Sequence, residues 1–381
     1  MGWASGVDPM RWFAGLAGTA LLVVVLWDAF ETIVLPRRAT GRVRLTRLFY
    51  RLTWRPFRAT ARWIRAGSRR ETYLSFYGPI SLVLLLALWA VALVAAFGML
   101  HYANGSAVRL AGEHPGFATD LYLSSTTIFT LGLGDALPLG AVARFLTAVE
   151  AFIGFGFLAV VVGYFPVLYQ AFSRRECSIS LLDARAGSPP SAAELMRRHT
   201  GPGGVAALEL LLHEWERWAA ELLETHLSYP LLAFYRSQHT NQSWLAALTT
   251  ILDTSALAIV SAEGACVRQA RLTFAMTRHA VVDLAQVFGA PPRMAPADRL
   301  PREAMARLRS ALASAGIPLP ERKDVDERLA ELRGQYEPYV AALSEYLLQP
   351  LPAWHYESPR RDNWQTTAWD TSHDPMPTDH F

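Results

Sequence analysis

Ser124-Ser125-Thr126-Thr127-Ile128-Phe129-Thr130-Leu131-Gly132-Leu133-Gly134-Asp135 is the stretch on which the reading of this chain turns. It closes a short, moderately apolar piece, Asp120 to Phe129, that is too short to cross a bilayer. Such a helix dips into hydrocarbon only where protein buries it. Glycine then falls at alternate positions, Gly132 and Gly134. Glycine tolerates positive φ, so this spacing lets successive carbonyl groups turn to one side.

Working outward, the chain has 381 residues, 52% hydrophobic and only 18% charged. A soluble protein usually carries about a quarter charged residues. Three apolar stretches reach the roughly 20 residues that a hydrocarbon core of about 30 Å requires. They run from about Phe13 to Leu35, Tyr73 to His101 and Ala143 to Phe172. The first is too long for a signal peptide and lacks a small-residue cleavage site. It reads as a retained helix. Asp28 and Glu31 share one face near its end, where pairing with nearby arginines is expected.

Between Arg37 and Arg70 there are twelve arginines and no acid. The block lies between two apolar spans, so a cytoplasmic loop explains it better than a nucleic-acid arm. Arg44, Arg47, Arg51, Arg55, Arg58, Arg62 and Arg65 alternate with Leu48, Leu52, Trp54, Trp63 and Ile64. This predicts a basic amphipathic helix on the inner leaflet, bent or restarted at Pro56, with anionic lipids as partners. Arg174 and Arg175 close the third span. Both basic flanks face the cytoplasm if the N-terminus lies outside, which places the chain in a cell membrane, the inner one in a bacterium.

Four strands of the Thr130–Gly134 kind around one axis would stack oxygen rings that replace a cation's hydration shell. Thr130 would add a hydroxyl ring, and the negative C-terminal end of the short helix would favour a cation. At this point the sequence resembles the potassium-channel signature, Thr-X-Gly-Tyr/Phe/Leu-Gly-Asp, over Thr130, Leu131, Gly132, Leu133, Gly134 and Asp135. Pro138, Arg144 at the start of the last span, and Gly154 extend the likeness to simple bacterial potassium channels. It covers about Tyr73 to Arg175, roughly a quarter of the chain. The resemblance implies an all-α membrane fold with outer helix, pore helix, filter and inner helix. It also implies a homotetramer, K+ as the permeant ion and a hinge at Gly154.

Three departures stand out. Phe129 replaces a common second Thr, and Leu133 takes the place of a bracing Tyr. Thr126 sits where some relatives carry a Glu that pairs with the filter Asp, so Asp135 needs another partner or faces water. A weakly selective cation channel, or a non-conducting receptor or scaffold with a degenerate pore, is the alternative these residues keep open.

Glu150 is a carboxylate inside an apolar span, and such residues are costly and seldom idle. It is expected to bond Thr126 or Thr127 behind the filter and is grouped with gating. Gly154, Gly156 and Gly163 are hinge candidates, and Pro166 a kink. Helical projection from Gly154 directs Phe155, Leu158, Val162 and Pro166 at the pore, with Val162, Pro166 and Tyr169 as a cytoplasmic constriction.

From Glu176 onward the pattern is soluble and helical. Trp244 to Val260 is apolar enough for a crossing, yet Asp253 and its Ser and Thr neighbours predict a buried soluble helix. His213, Glu214, His226 and His239 match no compact metal-ligand spacing and read as surface or packing residues. Cys177 and Cys266 form no disulfide framework. No nucleotide-binding glycine motif, HExxH or Gly-X-Ser-X-Gly is present, so no enzyme and no organic cofactor is expected.

The expected organisation is a transmembrane helix over 1–38, a basic linker over 39–71 and a pore module over 72–175 with its filter at 130–135. A helical cytosolic domain over 176–350, open to an unknown ligand, and a disordered tail over 351–381 complete it.

Overall fold

The computed structural model describes residues 8–35, 45–110, 112, 114–239, 241–262, 264–357 and 361–365. The described chain is almost wholly helical and divides into two compact units. The first holds residues up to Trp63 and Phe76–Tyr169; the second holds Ile64–Ser75 and everything from Gln170.

In the first unit, α1 spans Pro9–Ala29. Asp8 caps it through the Met10 amide, and Pro9 supplies the preset φ of a first turn. It continues as a π-helical turn over Phe30–Val34. The outer helix α4 (Tyr77–Ala103) lies against α1. At Gly18 the approach is close, since an added Cβ would stand 2.8 Å from the Ala96 carbonyl oxygen. Val25, Leu85, Trp89, Leu93, Phe97 and Ile128 form the buried apolar centre.

Among the described residues, the partners of Asp28 are not arginines. Asp28 is buried and accepts hydrogen bonds from Trp89 Nε1 at 3.0 Å, Thr46 Oγ1 at 2.6 Å and the Thr46 amide. A carboxylate on the first-turn amides of a following helix stabilises that helix, here α2 (Leu45–Trp63). The expected amphipathic helix is present, with Pro56 inside it. Trp54 is buried and its ring lies 4.7 Å from that of Tyr77. Arg37, Arg38, Arg42 and Arg44 lie outside the described residues.

A two-stranded antiparallel ribbon follows α4. Strand β1 (Val108–Leu110) pairs with β2 (Ala136–Pro138), Arg109 opposite Leu137. Helix α5 (Phe117–Ile128) lies between the strands in sequence, and α6 (Gly140–Ala186) follows them. At 47 residues α6 is about 70 Å long, twice what a crossing needs. Pro166 lies within it, and no break falls at Arg175.

In the second unit, α3 (Ser68–Ser75) joins the C-terminal helices α7 (Ala192–Arg198), α8 (Gly204–Ser228), α9 (Trp244–Ser261) and α10 (Ala265–Val287). The further helices are α11 (Arg302–Ser314), α12 (Lys323–Gly334) and α13 (Glu337–Leu347). Every residue from Trp244 to Ala258 is buried, which makes α9 the centre of this unit. Helix α9 packs against α10, α12 and α7. Asp253 inside it is held by Arg299 at 2.5 Å and by the Tyr336 hydroxyl.

The disorder expected from residue 351 does not hold for the described part of that stretch. Trp354 is buried, its carbonyl accepts from the Ala193 amide, and Arg299 lies over its ring. Further along, the Trp364 amide donates to Asp183 and Asp362 pairs with Arg198 at 2.8 Å. Polar, proline-bearing composition misled here because a few aromatic anchors suffice to seat such a strap. Residues 358–360 and 366–381 lie outside the described residues.

Candidate ion-conduction site

Helix α5 is wedged between α4 and α6. On one side Gly98 of α4 receives Leu121, where an added Cβ would be 2.7 Å from the leucine Cδ2. On the other side Gly154 of α6 lies against Ile128. Two glycines thus let three helices approach more closely than side chains allow.

The end of α5 dictates the path of the filter segment. The Thr130 amide donates to the Thr127 carbonyl at 3.0 Å. The amides of Leu131 and Gly132 both donate to the Thr126 carbonyl, at 2.8 and 3.2 Å. In a planar trans peptide the carbonyl points opposite to the N–H of the next residue. The carbonyls of Phe129, Thr130 and Leu131 therefore all turn away from α5. An extended strand would alternate them. The φ angles explain how this is done: +56° at Thr130, +52° at Gly132 and +79° at Gly134. Positive φ is cheap for the two glycines and costs Thr130 of order 1 kcal/mol.

Asp135 finds the partner that Thr126 cannot supply. The Tyr122 hydroxyl donates to Asp135 Oδ2 at 2.7 Å, and the Ala136 amide donates to its Oδ1. The ribbon then fixes the exit of the segment, with Leu139 N bonded to the Ala107 carbonyl. Phe129, Leu131 and Leu133 are more than half exposed in the single chain.

Glu150 is fully buried, but its partner is not the one expected. Thr126 and Thr127 both turn their hydroxyls back to the Leu123 carbonyl. Glu150 Oε2 lies 3.3 Å from Nε2 of His101 on α4. A threonine in a helix satisfies itself on a carbonyl one turn back, which removes it as a donor to a neighbour. Gly154 lies within helix α6 and admits the Ile128 backbone at close range. Phe155, Leu158, Val162 and Tyr169 are exposed, as is Pro166, on the face the projection chose.

Sequence reading missed Tyr122, His101 and Asp120, whose partners lie in other elements. It also gave Arg175 only a flanking role. Arg175 is buried in the second unit, where it donates to the Leu232 carbonyl at 2.7 Å and the Tyr235 carbonyl at 2.9 Å. Its Nη1 also lies 3.4 Å from His226 Nε2. His226 Nδ1 donates to the Leu222 carbonyl, so Nε2 is left as an acceptor. Burial and the adjacent guanidinium push the His226 imidazole down to about 3.

An outer helix, a half-crossing helix, a strand of aligned carbonyls and an inner helix together define the pore domain of an ion channel. Residues 82–170 match the family model described as Ion channel. The chain is also similar to the uncharacterized membrane protein YdjJ of Bacillus subtilis (strain 168), 25% identical over 198 residues. That match covers 50% of this chain and 57% of the relative's length. No solved structure matches. The chain is thus an all-α membrane protein whose residues 82–170 are similar to ion-channel pore modules.

Proposed function

We propose that this chain is one subunit of a homotetrameric, potassium-selective channel. The observation that carries the reading is the pair of consecutive amides, Leu131 and Gly132, tied to one carbonyl of Thr126. It leaves the carbonyls beside them free on the other side, where a dehydrated cation needs oxygen ligands. One such segment cannot enclose a path, so four chains meet on an axis. The exposed Phe129, Leu131 and Leu133 then pack between neighbours. Asp135 sits at the outer mouth, and Val162 and Pro166 line the cytoplasmic end of α6 and form the gate.

The N-terminus lies outside and the second unit in the cytoplasm. The arginines of α2, Arg47, Arg51, Arg55, Arg58 and Arg62, meet anionic headgroups of the inner leaflet. The second unit assembles the tetramer and passes a stimulus to α6, through a cytosolic ligand of its own.

Flux from liposomes tests the reading. Purified protein discharges a potassium gradient, and Gly132→Asp abolishes the flux while the tetramer still forms. Leu133, which lacks a bracing hydroxyl, favours a second reading of weaker selectivity. Equal sodium and potassium flux would decide for it. Protein that remains monomeric and passes no ion would overturn both.

A further inference from the structure

Behind α5, three helices bury polar groups against one another. His101 of α4 and Glu150 of α6 lie 3.3 Å apart and are 1% and 0% exposed. Asp120 and Ser124 of α5, one turn apart on one face, are both 0% exposed. Among the described residues, four of their atoms find no hydrogen-bond partner: His101 Nδ1, Glu150 Oε1, Asp120 Oδ1 and Ser124 Oγ. Buried polar atoms are nearly always paired, so this density of orphans is unusual. Asp120 Oδ2 accepts from Ser106 at 2.6 Å, and the carboxylate is within Coulombic reach of His101 and of Arg11 of α1. Arg11 also faces Asp8 at 3.9 Å and the Tyr102 ring. Among the described residues these are the charged and titratable groups the elements around His101 present to it.

We propose that proton binding by His101 sets how firmly α4 and α6 hold the pore helix, and that His101 and Glu150 are positioning residues that make conduction pH-dependent. The proposal rests on the channel reading above. Histidine is the side chain whose charge changes between about pH 5 and 8. His101 Nε2 donates to Glu150, and the orphan Nδ1 is the atom that takes the added proton. The imidazolium then faces two carboxylates, Glu150 and Asp120, from the two neighbouring helices. When it loses that proton, both buried carboxylates lose a shared counter-charge, and only Asp120 keeps Arg11. Burying an uncompensated charge is costly, so the packing loosens.

The path to the filter is short. Gly154, one turn after Glu150, touches the Ile128 backbone. Thr126, half a turn before Ile128, holds the Leu131 and Gly132 amides. Acid therefore tightens the support of the carbonyls that coordinate the ion, and conduction is greatest there.

Potassium flux from liposomes, measured from about pH 5.5 to about pH 8, tests this. Wild-type flux should fall with rising pH by about fivefold or more, the low end of ordinary coupling between sites. H101Q and E150Q should each flatten the profile, whatever their absolute rates. The wild-type profile stands even if one variant fails to assemble. A flat wild-type profile, one of opposite slope, or a slope that survives in both variants overturns the proposal. Absence of flux at every pH instead sinks the channel reading and this inference with it.

Discussion

Gly154 and Ile128 are in backbone contact: a Cβ added to Gly154 would stand 2.6 Å from the Ile128 carbonyl oxygen. Two effects oppose each other in Gly154→Ala. Helix propensity favours alanine by about 1 kcal/mol. Overpacking against a backbone oxygen costs about 1–3 kcal/mol, and neither backbone can swing aside as a side chain would. The clash wins. Gly154→Ala should lower the melting temperature of the detergent-solubilised protein and reduce flux. Unchanged stability with altered opening would restore the hinge.

The Tyr122 hydroxyl donates to Asp135 Oδ2 at 2.7 Å. Tyr122→Phe keeps the ring and deletes that donor. We expect sustained potassium flux to decay faster than in wild type. Tyr122→Phe and Asp135→Asn combined should do no more than either alone, because partners in one bond are not additive. Additive effects would separate the two residues.

Arg175 fixes the Pro230–Phe234 turn and the Tyr235 that follows it to the C-terminal part of α6. Arg175→Met leaves two buried carbonyls and Glu176 without their donor. A loss of about 3 kcal/mol or more is expected from removing one member of a buried charged cluster. The check is the unfolding midpoint of the full chain followed by tryptophan fluorescence, since Trp215, Trp218 and Trp244 are buried in the same unit. A shift of only a few degrees would place Arg175 at the surface in solution.

His226 makes the second unit acid-sensitive. Its folded imidazole protonates only at about 3, against about 6.5 in an unfolded chain. Between those values the unfolded state binds the extra proton. Stability therefore rises with pH across this window and is lost as pH falls from about 6.5 toward 3. The swing is on the order of 4–5 kcal/mol at its acid end. Other carboxylates titrate there as well, so the difference between wild type and His226→Gln isolates it. That difference should shrink as the buffer is made acidic. A constant difference from pH 7 to pH 4 would refute the assignment.

The backbone turn over Thr130–Gly134 was legible because its constraint is local: alternate glycines permit the positive φ angles found there. The long apolar helices were legible by length, and α9 as a helix with Asp253 and its hydroxyl neighbours inside it. What escaped were pairings between distant elements. His101 and Glu150 are 49 residues apart, and Asp28 and Trp89 are 61 apart. Periodicity tells which face is apolar, not which polar side chain on another helix will meet it. The seating of Trp354 escaped for the same reason, as did the membership of α3 in the second unit. Two glycine signals, Gly98 and Gly154, were visible as letters, but only packing shows what they admit.

Because Ile64–Ser75 and the stretch from Gln170 belong to one body, that body holds the chain on both sides of the pore hairpin. Glu71 of α3 pairs with Arg236, whose guanidinium also reaches the carbonyls of Leu347 and Leu348 at the end of α13. Removing the Glu71 carboxylate would free the segment that precedes α4 from this body and leave its hold through α6 in place.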